Sequence, residues 1–109
     1  MKVGSVYDFL DGWIVGNFVP SLLKTDQIEV ALKRFKAGDQ HPCNFQMRST
    51  EVTLVVEGRV ELNGIVLGRD EYLRLEPREH ASFRALEDST LVAIKFPSIP
   101  DDKVGCSEH

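Results

Sequence analysis

The chain reads as an all-β protein, a jelly-roll β-barrel of roughly eight or nine short strands. Three observations predict it. From Gln27 onward, runs rich in Val, Ile, Leu and Thr recur at short, regular spacing between turn residues, the pattern of barrels and sandwiches. Asn63-Gly64 stands between two apolar runs, and it is a strong hairpin signal because both central residues of a type I′ turn need positive φ. Helical periodicity is scarce: Val3 to Leu10 suggests one short turn. The Cys–Trp–Cys pattern of an immunoglobulin sandwich is absent.

The elements follow in order. Ile28 to Lys36 alternates Ile28, Val30 and Leu32 with Glu29, Ala31 and Lys33, which predicts a half-buried strand. Ala37-Gly38-Asp39 turns it, Gln40-His41-Pro42 reads as loop, and Cys43 to Arg48 is extended. Glu51 to Glu57 is rich in Val, Leu and Thr and reads as a central strand closed by Gly58. Val60 to Leu62 and Ile65 to Leu67 form the Asn-Gly hairpin, and Gly68-Arg69-Asp70 is the next turn. Glu71 to Glu76 stops at Pro77, which has no N–H to give a ladder. Ala81 to Leu86 and Thr90 to Phe96 complete the set. The expected organisation is an N-terminal extension over residues 1–26, packed on the barrel or on a second subunit, a barrel over 27–100, and a frayed tail over 101–109.

Composition narrows the function. The 109 residues suit one domain, and a formal charge of -4 with scattered Lys and Arg argues against nucleic acid. The longest uncharged run, between Asp11 and Lys24, is broken by Asn17, Pro20 and Ser21, so no membrane association is expected. No secretory signal is visible in residues 1–20. Cys43 and Cys106 are the only cysteines. Two free thiols in a reducing cytoplasm are the favoured reading, and a Cys43–Cys106 bridge is the alternative.

The segment Gly38 to Gly58, GDQHPCNFQMRSTEVTLVVEG, carries a metal-site frame without its histidines. It resembles the first motif of the cupin superfamily: Gly, five residues, His-x-His, four residues, Glu, six residues, Gly. Gly38, Glu51 and Gly58 hold their places, while Asn44 and Gln46 stand where the motif has histidine. Asp70 to Ala81, DEYLRLEPREHA, has the spacing of the second motif, with Asp70 and Arg78 at the two Gly places, Glu76 at Pro and Ala81 at the last His. The ends of the chain, Trp13 to Leu23 and Phe96 to Lys103, are similar to those of small single-domain cupins of the RmlC-like kind. The resemblance implies a double-stranded β-helix that closes as a homodimer through its N-terminal strand and a sheet edge. It also implies a site at Asn44, Gln46, Glu51 and Ala81 that lacks the imidazoles a transition metal needs. No metal and no cofactor are expected.

Asn44, Gln46 and Glu51 share one expected inward face, which reads as a polar pocket for a small polar or sugar-like molecule. Arg48 alternates onto the same face and is a candidate anion fork, as is Arg74 on its own strand. Glu51 and His80 are the candidate acid/base residues of an alternative isomerase- or epimerase-like enzyme, and a metal-dependent variant would recruit His41 or His80 beside Glu51. His80 lies one residue before the ligand position, which in a regular strand turns it to the opposite face. An exposed loop is the favoured reading for both histidines.

Overall fold

The computed structural model describes residues 1–106. The chain forms two facing sheets. One runs β2 (Leu23–Lys24), β1 (Trp13–Gly16), β3 (Glu29–Phe35), β10 (Ser89–Phe96), β5 (Thr50–Glu57), β8 (Tyr72–Leu75). The other runs β11 (Lys103–Gly105), β4 (Gln40–Gln46), β9 (Ala81–Ala85), β6 (Arg59–Leu62), β7 (Ile65–Gly68). Every pairing is antiparallel except β1 with β2. Before them, Ser5 caps a single 3₁₀ turn, Val6–Asp8, in the Val3 to Leu10 stretch.

Turn chemistry explains the boundaries. Asn63 and Gly64 have φ of 52° and 80°, as a type I′ hairpin requires. Gly58 sits at φ 94°, and a Cβ there would collide with Ser89 and the Asp88 carbonyl. Asp70 and Arg78, at the two glycine places of the second motif, take φ of 71° and 69°. The backbone keeps the turns although the glycines are gone.

The apolar core comprises Val55, Val60, Leu62, Leu67 and Leu91, with Phe35, Leu73 and Phe83 packed against it. It lies between the two sheets, so β5, β6 and β10 each bury one face.

Four expectations are corrected. Gln40-His41-Pro42 is the start of β4, not a loop; the proline is tolerated because the β4–β9 register shifts between His41 and Asn44. Residues 103–105 do not fray, because they pair with β4 from Gln46 to Asn44; residues 107–109 of the expected tail lie outside the described residues. The face of β3 is the reverse of what its apolar alternation suggests. Ala31 is fully buried and Lys33 and Phe35 line the interior cavity, which Leu32 does not; Leu32 lines a crevice with Val6, Tyr7 and Phe9 whose edge also reaches Lys33 and Phe35. The N-terminal segment covers the outer face and leaves the inner one to a lysine. Finally, Cys43 and Cys106 are disulfide-bonded, with Cα atoms 5.5 Å apart. Pairing of Gly105 with Asn44 brings the two residues opposite each other, so the strand that looked like a tail is also what makes the bond. With both cysteines bonded, free thiols no longer speak for a reducing, cytoplasmic setting.

Candidate functional site

The interior holds a cavity of about 240 Å³. Its polar lining comes from both sheets. Strand β4 gives His41, Asn44 and Gln46, β5 gives Glu51 and Thr53, β3 gives Lys33, β10 gives Lys95, and β11 gives Lys103. Ala81 at the start of β9 and Trp13 on β1 complete that end. Period-two alternation places these side chains together: Leu91, Ala93 and Lys95 point inward from β10, and Asn44 and Gln46 from β4.

Register sets the contacts. Lys95 is directly opposite Glu51 on β5 and Glu29 on β3, a separation at which opposite charges attract across a sheet. Gln46 donates through Nε2 to Glu51 Oε2 at 3.1 Å, so the buried amide and the carboxylate satisfy one another. Asn44 donates through Nδ2 to the Pro42 carbonyl at 3.2 Å. Lys33 Nζ lies 2.7 Å from Asp11 Oδ2. Two ammonium groups lie near the Trp13 ring, Lys95 Nζ 5.0 Å and Lys33 Nζ 5.6 Å from its centroid, within cation–π range.

One carboxylate organises the wall from outside the cavity. Asp102 is 4% exposed and accepts from the backbone N–H of Arg48 at 3.0 Å and of Ser49 at 2.9 Å. Its carbonyl accepts from Met47 N–H at 2.9 Å. Burial pushes the carboxyl up, but the hydrogen bonds from Arg48 and Ser49 and the charge of Arg48 outweigh it and hold Asp102 below the usual carboxylate range. The Met47–Ser49 bend, which links Gln46 to Glu51, is thereby tied to the start of β11.

Asn44, Gln46 and Glu51 therefore line one cavity, and Arg48 does not join them. Its side chain is 73% exposed and lies 3.7 Å from Asp102, because β4 ends at Gln46 and the bend breaks the alternation. Arg74 also faces outward, bonded to Glu76 and lying over Phe96. His80 is exposed and absent from the cavity lining. It stacks on Phe45 at 4.6 Å, on the opposite face of the sheet from Ala81, as the one-residue offset predicts. His41 is the histidine that reaches the cavity, packed against Phe35 and Phe83.

Lys33, Lys95 and Lys103 went unseen in the sequence. Lys33 lay on the face of β3 opposite its expected apolar side, and Lys103 lay in the expected tail. Lys95 follows a β10 run that is apolar on both faces, so alternation carried no signal there.

The positions that hold a metal in cupins do not fit one here. Ala81 has no donor atom, Asn44 and Gln46 offer neutral amides, and the Gln46 amide is already engaged with Glu51. A single carboxylate beside a lysine is a poor transition-metal site.

Comparison with solved structures agrees with this architecture. A protein with a double-stranded β-helix domain from Klebsiella pneumoniae superposes with a TM-score of 0.70 at 16% identity, over 95% of this chain and 90% of that one. KdgF from Halomonas sp. matches with a TM-score of 0.64 at 23% identity, over 71% and 74%. An RmlC-like cupin from Shewanella frigidimarina matches at 0.62 and 19%, over 70% and 71%. No protein-family model matches the chain, and no curated protein matches it. The fold is that of the cupin superfamily, a double-stranded β-helix. Among the described residues, no helix is long and apolar enough to cross a membrane.

Proposed function

We propose that this cupin-fold chain binds a small hydroxylated anion, a sugar acid or similar polar acid, in the barrel cavity. The observation that carries this is the charge of the lining. Lys33, Lys95 and Lys103 face Asp11 and Glu51, and Lys33 is already paired with Asp11. Within the lining three lysines stand against two carboxylates, with Glu29 opposite Lys95 just outside it. Gln46, Asn44 and Glu51 supply donors and acceptors for hydroxyl groups, and the volume of about 240 Å³ suits a molecule of monosaccharide size or smaller. Lys33, Lys95 and Lys103 take over the anion-binding role that Arg48 would have had.

A thermal-shift panel of sugars, the corresponding sugar acids and short hydroxy acids tests this. A true ligand at 100 times its Kd stabilises by about 2.7 kcal/mol, or roughly 11–18 °C for a domain of this size. The acids should raise Tm and the neutral sugars should not. Lys95→Gln should abolish the rise without changing the Tm of the free protein by more than a few degrees. Equal shifts from neutral and acidic compounds, or a shift that survives Lys95→Gln, would refute the anion site.

One observation favours a catalytic variant of this reading. His41 and Glu51 line the same cavity, so an imidazole and a carboxylate face one bound molecule, as an isomerase- or epimerase-like proton transfer needs. Incubation in deuterium oxide with a stabilising ligand checks it. Solvent deuterium should enter a carbon–hydrogen bond of the ligand and Glu51→Gln should prevent it; no incorporation by the unaltered protein ends the catalytic reading.

We further propose that the chain pairs as a homodimer through the β2 edge. Leu23 on that edge strand, with Val19 and Leu22 before it, is more than half exposed, and an open apolar edge invites pairing. Light scattering at micromolar concentration should give about twice the 12.3 kDa of one chain, and Leu23→Glu should halve it. A monomeric mass for the unaltered protein rules the dimer out.

A further inference from the structure

The outer face of the five-stranded sheet carries a second cluster of ligating side chains, on the other side of β4 from the cavity. Sulfur atoms of Cys43 and Cys106 and a ring nitrogen of His80 all lie within 4.8 Å of one another. Strand register holds them there. Gly105 pairs with Asn44, which sets Cys106 opposite Cys43, and Asn44 pairs with Ala81, which sets His80 beside Phe45, two residues along the same face as Cys43. Phe45 is buried and stacks on the His80 ring with centroids 4.6 Å apart and planes 17° apart, fixing the orientation of the imidazole. His80 is exposed and the cysteines are partly so, so an ion and a reductant have access.

We propose that Cys43, Cys106 and His80 form a redox-gated site for a thiophilic divalent cation, Zn²⁺. The oxidised form, with its sulfurs bonded to each other, is closed to the ion. A small-molecule thiol opens it. Two equivalents break the S–S bond by thiol–disulfide exchange, supply two electrons and two protons to the cysteines, and leave as their own disulfide. Zinc then binds two thiolates and one imidazole; the two thiol protons pass to solvent, and water takes the fourth position. Tetrahedral zinc with its usual bond lengths separates its ligand atoms by about 3.5–3.8 Å, which small side-chain rotations reach from the spacing observed. Two thiolates and an imidazole suit zinc, whereas the amides and lone carboxylate of the cavity do not. The site is independent of the ligand cavity.

The full chain, oxidised and after reduction with removal of the reductant, is titrated with Zn²⁺ against a chromophoric chelator, and with Co²⁺ as a spectroscopic probe. Circular dichroism accompanies each titration. The reduced protein should take up one zinc per chain, and its cobalt form should show thiolate-to-metal charge transfer and tetrahedral visible bands. The oxidised protein and Cys43→Ser should take up none at the same free zinc. His80→Ala should weaken binding at least ten-fold while leaving the disulfide form folded and its cavity ligand response unchanged. Equal uptake by oxidised and reduced protein, absence of uptake by the reduced chain whether folded or not, or full affinity in His80→Ala would overturn the proposal.

Discussion

Loss of the Cys43–Cys106 bond is expected to cost this protein between about 2 and 4 kcal/mol of unfolding free energy. The two residues are 63 positions apart, so the bond closes a long loop and removes much freedom from the unfolded chain. In the folded chain it joins the end of β11 to β4, two strands already in register. Urea unfolding of the oxidised protein against Cys43→Ser/Cys106→Ser measures the effect. The double variant should unfold at lower urea, with a steeper dependence on denaturant because an uncrosslinked chain exposes more surface. Alkylation and mass spectrometry of the starting protein should show no free thiol. Coincident transitions would mean that the bond contributes nothing to stability. Zinc added to the reduced unaltered protein, but not to the serine variant, should restore part of the loss.

Asp102→Ala should be nearly as damaging. It leaves the backbone N–H groups of Arg48 and Ser49 without their acceptor, and Ser49 is buried. Together these costs come to about 3 kcal/mol, roughly 12–20 °C in Tm for a chain of this length. Asp102→Asn keeps one acceptor oxygen and should lose about half as much. The pH dependence has a definite sign. Because the folded carboxyl is held below its ordinary range, its contribution is fully present above the unfolded value of about 3.9. It is lost as pH falls through the lower folded value. Thermal unfolding between pH 7 and pH 2 should therefore show a steeper acid decline in the unaltered protein than in Asp102→Asn. Parallel curves would remove Asp102 as the cause. The Met47–Ser49 bend carries Gln46 and Glu51 on its two flanks, so the alanine variant should also weaken ligand binding in the cavity.

The barrel was legible along the chain because local chemistry punctuates it. Asn63-Gly64, Gly58 and Pro77 mark turns whose φ values or missing N–H groups few other residues supply, and the strands from β5 to β10 lie where those signals put them. The spacing of Asn44, Gln46 and Glu51 likewise placed three polar side chains in one cavity, two from one sheet and one from the facing sheet, since alternation within a strand and a short bend between strands are local properties. The positive φ of Asp70 and Arg78 shows that even the altered second motif keeps its backbone. The outward turn of His80, one residue from Ala81, is decided by the same alternation. What escaped depends on partners distant in sequence. Which face of β3 is inside depends on the N-terminal segment lying over Leu32, and so the inward turn of Lys33 could not be read from β3 itself. Strand β11 exists because β4 offers it an open edge, and only that pairing brings Lys103 to the cavity, Cys106 to Cys43, and Asp102 to the bend. Backbone φ preferences and side-chain alternation act within a few residues and are written in the sequence; edge pairing, face selection and burial of charge are won by contacts between distant segments, and the tertiary structure alone decided them.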